Sequence, residues 1–460
     1  MRSITRHRGA SRGEMMKKHR LSYLLLAIVW LLLANFNCKP QTGSKVITKV
    51  NGEAITEAEF IKALPGGFAS DSAEKDYRHT LLNQMITKKL FVQEAKKLGL
   101  DKEIELVFER DKKTMLIQAL YDDVVTKNVK INPDELEQAK NLMATEVHVK
   151  VIVVPDENTA RMASEEIKKG VSFDSVAKIF SKHSSAQNGG DVGFVPSLYF
   201  EEPVRKVILK MKPNEISEPI RSAEDFKIIN YIEKRQSTET EQKLKDNSRM
   251  VLEQEKSQKL AKEYLDKMYN RLEYNPEGLK LFYKNVDSIT PEEGEIWVVK
   301  KDKKKIVKAK NLLHVARQFP VSLDTAMRTY SVKREVDDDM LYEDALARNL
   351  DKKPDIAFEL KNRKDDLLYE KFYLTEITQK ADVTEQEIED YYNLHKDQYG
   401  KSKLAEVSSM IRNTIFSEKR QALYKTNEEN LKSKAKIEIN EKLYMNANKP
   451  KSENKKTGGK

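Results

Sequence analysis

At 460 residues the chain is too long for one ordinary core, and with 39% hydrophobic and 34% charged residues it calls for several domains carrying long solvated helices. Its formal charge of +10 is terminal: residues 1–20 carry +6 and residues 446–460 carry +4, so the stretch between is near neutral and a nucleic-acid-binding face is not indicated. One cysteine and 7 scattered histidines argue against an internal disulfide or a metal site, and no P-loop, dinucleotide fingerprint or nucleophile elbow is present, so no cofactor is expected.

The chain opens as an export signal. Lys17, Lys18 and Arg20 precede an almost wholly apolar segment from Leu21 to Leu33, the length of a signal core and short for a spanning helix. Cys38 follows directly. Read as a lipobox cysteine, it becomes the acylated first residue after a signal peptide of residues 1–37. Read as incidental, it follows a simple cleaved signal, and Asn35-Phe36-Asn37 departs from the usual small residues there. An unpaired thiol in an exported chain is otherwise unexplained, which favours lipidation.

Val46 to Thr56 is a predicted hairpin about Asn51-Gly52, and Thr56 with Glu59 forms a capping box for a helix. Helices are predicted from about Lys75 to Leu98, with Gly99 as the stop, from about Ile104 to Thr126, and from Asn132-Pro133-Asp134-Glu135 onward. The order then returns. Glu295 to Val307 is a second hairpin turning near Asp302-Lys303, and Tyr373 to Glu389 lines up with Tyr121 to Glu137 at a constant offset of 252. Glu255-Lys256 and Leu260 match Glu418-Lys419 and Leu423 at an offset of only 163. The difference, 252 less 163, is an insertion of about 89 residues in the first copy, spliced between two helices.

Within the insertion the pattern is that of a small α+β domain. Val147 to Pro155 is a predicted strand, Asn158 to Lys169 and Phe173 to Ser181 are helices, and Ser184 to Phe194 is a Gly-rich loop entering a strand. Pro203 to Met211 is a short helix, and Ile216 to Ile220 and Phe226 to Ile232 are closing strands. Ser237 to Tyr274 reads as one long charged helix with Leu252, Leu260, Tyr264, Leu265 and Met268 as a short apolar stripe. The stripe packs on its own module or, less simply, on a coiled-coil partner.

These residues carry a resemblance. The strand ending Ile152-Val153-Val154-Pro155, Gly170-Val171-Ser172-Phe173, the loop Gly189-Gly190-Asp191-Val192-Gly193-Phe194 and the run Asn214 to Ile220 resemble the parvulin family of peptidyl-prolyl isomerases. The flanking segments Lys49 to Thr56 and Leu90 to Leu100 resemble the SurA/PrsA-type foldases and chaperones. The resemblance covers about residues 45–275; beyond that, the second module rests on the internal duplication. It implies an α+β architecture of duplicated, mainly helical chaperone modules with one inserted parvulin-like domain. The expected organisation is a signal at 1–37, a first helical module at 38–144 completed by 237–285, the parvulin-like domain at 145–236, a second module at 286–445 and a disordered Lys-rich tail at 446–460.

Rotation about an X–Pro bond faces a barrier of ~20 kcal/mol, so a catalyst needs an apolar socket for the proline ring and groups that favour the twisted amide. By position the resemblance implies a socket of Val192, Phe200 and Val204, with Ser222 and His183 on the polar side. Those apolar residues serve equally as domain core. The family's two usual histidines fall on Val151 and Lys227, and His183 stands where many members have Cys or Asp. His148, three residues from Val151, points to the other sheet face unless a bulge intervenes. Two functions therefore stand: a chaperone whose parvulin-like domain is a weak or inactive isomerase, and a working peptidyl-prolyl cis-trans isomerase. Either would serve unfolded or proline-containing exported polypeptides from a lipid-anchored position in the cell envelope, facing the periplasm.

Overall fold

The computed structural model describes residues 45–448 apart from 66, 223–224, 284, 304 and 318–324; the expected signal, Cys38 and residues 449–460 of the expected tail lie outside the described residues. No described helix is long and apolar enough to cross a membrane. The chain divides into two compact units. One spans Tyr121–Arg334, and the other joins the described residues up to Leu120 to those from Glu335 onward.

Strands β1 (Val46–Val50) and β2 (Glu53–Thr56) form an antiparallel hairpin. Asn51 and Gly52 both take positive φ, +51° and +87°, which suits the right-handed twist of the flanking strands. Thr56 and Glu59 close the capping box of the helix Glu57–Lys62. Ile47, Val50, Ile55 and Phe60 bury themselves against Leu81, Leu82, Ile86 and Leu90, which recur at helical spacing on the helix Asp71–Lys97. A second cluster joins Phe91, Val92 and Ala95 of that helix to Leu367, Leu368 and Phe372 of the helix Pro354–Phe372.

The helix Pro133–Ala144 runs directly into β3 (Thr145–Val154), the central strand of the inserted domain. The helices Glu157–Lys168 and Phe173–Phe180 follow, then β4 (Asp191–Pro196), the helix Glu202–Ile208, β5 (Ile220–Arg221) and β6 (Phe226–Gln236). The sheet is antiparallel in the order β4-β3-β6-β5. Alternation along β3 feeds two cores. Ile152 and Val154 pack with Ala160, Ala163, Phe173 and Val176, whereas Val147, Val149 and Val151 face Val204 and Ile208. The backbone on either side of this sheet meets, with Ser237 N donating to Ala144 O at 2.8 Å.

The stretch expected as one helix from Ser237 to Tyr274 is a helix over Glu241–Tyr269 followed by β7 (Leu272–Tyr274). Leu272 and Tyr274 flank Glu273 with a period of two, a signal too short to stand out after a long charged helix. β7 pairs with β8 (Trp297–Lys301), which pairs with β9 (Lys305–Lys308) across a turn where Asp302 and Lys303 both have positive φ. The last strand, β10 (Ile437–Ile439), pairs with β1. The first hairpin thus takes its third strand from Ile437–Ile439, and Leu272–Tyr274 pairs with the second hairpin. Three-residue strands carry too little pattern to specify a distant partner. Ordered chain also continues past the expected boundary at 446. Ala447 is fully buried, and Arg78, itself buried, donates to Tyr444 O at 2.7 Å and Ala447 O at 2.8 Å.

One local arrangement occurs twice. Asn132 caps the helix Pro133–Ala144 in a box with Glu135, and Lys256 of the helix Glu241–Tyr269 binds both Glu135 (2.6 Å) and Lys130 O (2.5 Å). Thr384 caps the helix Glu385–Leu394 in a box with Glu387, and Lys419 of the helix Leu404–Lys434 binds Glu387 and Asp382 O. The paired positions carry the offsets of 252 and 163 found in the sequence.

Candidate functional site

The site is built around the Gly-rich loop. A short 3-10 turn, Ser184–Asn188, ends at Gly189, and Gly189 and Gly190 both take positive φ, +66° and +82°. Gly190 lies flat against β3: its carbonyl accepts from Val151 N at 2.8 Å, and a Cβ on it would stand 2.6 Å from Val151 O. Asp174, which pairs with Lys150 at 2.6 Å, crowds Gly189 in the same way. Only glycine fits both positions.

This loop delivers Val192 to the cluster that holds Val204, and Phe200, Met211 and Ile220 pack on the same cluster. The three expected socket residues, Val192, Phe200 and Val204, are therefore together, with Val192 and Phe200 half-buried and Val204 buried. Val151 belongs to the same cluster as core, 6% exposed and in register with Ile229 of β6, where it presents no polar group.

A polar cluster adjoins it. Lys227, in register with Ile220 on β5, donates to Ser222 Oγ and to Glu201 Oε1, each at 2.8 Å, and lies 3.3 Å from Asp225 Oδ1. Ser222 also hydrogen-bonds Glu201. Lys227 and Ser222, expected separately, are thus joined, and Glu201 and Asp225 complete the group. Sequence reasoning missed Glu201. Next to a helix start it reads as an ordinary acidic residue complementing the dipole, but its place directly after Phe200 puts socket wall and polar cluster on one short turn.

His183 caps the 3-10 turn: its Nδ1 accepts from Ser185 N at 3.2 Å and lies 2.9 Å from Ser185 Oγ. Its role in these contacts is to shape the loop. No bulge intervenes in β3: the register shift beside His148 leaves its extra residue, Ile232, on β6, so Val147, Val149 and Val151 all stay on the socket side. His148 instead meets Asp191 Oδ1 at 2.9 Å and lies beside the Phe194 ring. Burial pushes the Asp191 carboxyl up, but the Gly193 N–H and His148 outweigh it and hold the group below its ordinary range. The arrangement as a whole offers a partly exposed apolar cluster with a charged, hydrogen-bonded rim.

The PPIC-type PPIASE domain, or rotamase, family matches residues 155–233. A "Probable parvulin-type peptidyl-prolyl cis-trans isomerase" of Bordetella bronchiseptica is 30% identical over 196 residues, covering 40% of this chain and 75% of the relative. The chain belongs to the parvulin-type peptidyl-prolyl cis-trans isomerase family. Within it, foldase protein PrsA of Caldanaerobacter subterraneus is 26% identical over 301 residues, covering 56% of this chain and 97% of that protein. The chain, with its parvulin-type domain, is thus homologous to PrsA foldases. Among solved structures, a PrsA peptidylprolyl isomerase of Bacillus anthracis matches 41% of this chain and 96% of its own at 23% identity and a TM-score of 0.26. A SurA-like chaperone of Campylobacter jejuni matches 50% of this chain and all of its own at 20% identity and a TM-score of 0.24.

Proposed function

We propose that this foldase is a chaperone first and an isomerase second: it holds non-native exported polypeptides on its helical modules while the parvulin domain binds proline-containing segments and turns them over slowly. The observation that carries this reading is the state of Lys227. Its ammonium is engaged by Glu201, Ser222 and Asp225 at once, and the other position usually held by histidine, Val151, is buried core. Val192, Phe200 and Val204 remain gathered in one apolar cluster against which a proline ring would pack. The intact Gly-Gly-Asp loop and that cluster favour a second reading, a full isomerase that works through socket shape alone.

We read residues 145–236 as the parvulin domain, and the helical parts as two copies of one module that have exchanged closing strands. The twin clamps, Lys256 on Glu135 and Lys419 on Glu387, support this, as do the pairings of β10 with β1 and of β7 with β8. Export and lipid anchoring at Cys38 rest on the residues Leu21 to Leu33 and the lone cysteine. Incorporation of labelled palmitate into the wild type but not into Cys38→Ala is the expected result, and equal labelling of the two would refute it.

The chaperone role is tested by excising 145–236 and joining Ala144 to Ser237, whose backbones already meet. The shortened chain is expected to keep suppressing aggregation of an unfolded outer-membrane protein. Loss of suppression by a folded product would move client binding to the parvulin domain.

A further inference from the structure

The turn that carries Phe200 is gripped by residues that belong to a different apolar cluster from the socket's. Residues Ser197–Tyr199 form a 3-10 turn immediately before Phe200. Leu198, 2% exposed, is wedged among Ala139 and Met143 of the helix Pro133–Ala144, with Leu244, Val251 and Leu252 of the helix Glu241–Tyr269 packed on the same cluster. Ser197, also buried, donates its hydroxyl to Leu142 O at 2.7 Å. Arg205 closes the arrangement. It sits one residue after the socket residue Val204, and its Nη1 donates to Leu198 O at 2.9 Å and to Phe200 O at 3.0 Å. The same nitrogen lies 3.9 Å from Glu255 of the helix Glu241–Tyr269, and the Arg205 side chain is only 13% exposed.

We propose that Arg205 is a positioning residue for the proline socket, clamping the Leu198–Phe200 turn so that the helical module, through the Leu198 wedge, fixes where the Phe200 wall stands. This rests on the reading of Val192, Phe200 and Val204 as the socket. Two charge-assisted hydrogen bonds converge on carbonyls that flank one residue, Tyr199, so rotation of Phe200 about its backbone breaks at least one of them. A free, solvated arginine would impose no such restriction.

The test uses the full chain with Arg205→Ala, Arg205→Gln and Arg205→Lys, an Ala-Ala-Pro-Phe peptide as probe, and two readouts. Peptide affinity is expected to fall about tenfold in Arg205→Ala, with partial recovery in Arg205→Lys. Hydrogen exchange at the amides of residues 198–201 is expected to accelerate in Arg205→Ala while β3 and β6 stay protected. Unchanged affinity together with unchanged exchange would overturn the proposal. If Arg205→Ala fails to fold, Arg205→Gln, which keeps a single donor nitrogen and no charge, carries the same comparison. A wild type that binds no peptide removes the socket reading, but exchange at residues 198–201 still decides the clamp: acceleration supports it and constancy overturns it.

Discussion

Lys227 stands where the family resemblance leads one to expect a histidine, and its three oxygen neighbours explain why it is stable there: a lysine side chain only 18% exposed needs acceptors for its ammonium. The departure at Val151 is more deeply fixed. Introducing Val151→His puts a polar ring among Val204, Ile208 and Ile229 without an acceptor. It is expected to destabilise the domain by about 2 kcal/mol or more, seen as an earlier urea transition. Gly190 is equally constrained. Gly190→Ala combines positive φ with a 2.6 Å approach to Val151 O, so loss of amide protection along β3 and β4 is expected. A Gly190→Ala protein with wild-type protection would mean that the loop can lift away from the strand. The glycine pair was legible in the sequence because its chemistry is local. Arg205 and Glu201 were not, since each reads as a surface charge until the turn at 197–199 brings carbonyls and the Lys227 ammonium to them.

At the scale of elements, the sequence was informative wherever a few neighbouring residues decide the outcome. Asn51-Gly52 dictates its turn, and Thr56, Asn132 and Thr384 each reach the backbone three residues on. It was least informative for β7 and β10, whose partners are set by the whole fold. The clamp on Glu387 yields a pH prediction. Lys419, with the Thr384 backbone N–H, lowers the Glu387 carboxyl from 4.5 to about 2. Because the folded value is depressed, the stabilising contribution is present above the ordinary pKa and is lost as pH falls from 4.5 towards 2. A carboxyl-carbon NMR titration is expected to give a midpoint near that low value and, in Lys419→Ala, one closer to the ordinary range. An identical midpoint in both proteins would place the cause elsewhere. Glu135 is lowered in the same direction by Lys256.

On the scale of the molecule, the pairing of β10 with β1 ties residues near the end of the described chain to its first described strand. Deleting residues 436–448 removes one of the two strand partners of β1 and both carbonyls that Arg78 binds. Loss of protection at Val46–Val50 is expected, with β3 and β6 unaffected, since those strands belong to the other compact unit. Unchanged protection of β1 would show that the hairpin stands without its third strand. The most direct test of the central claim is prolyl cis-trans exchange of a short peptide measured by NMR on the full chain, alongside peptide binding. Binding that saturates and is lost in Phe200→Ala, with exchange only weakly accelerated, is the predicted result. Fast exchange that collapses in Lys227→Ala would contradict it, making Lys227 a working catalytic group and the protein an isomerase first.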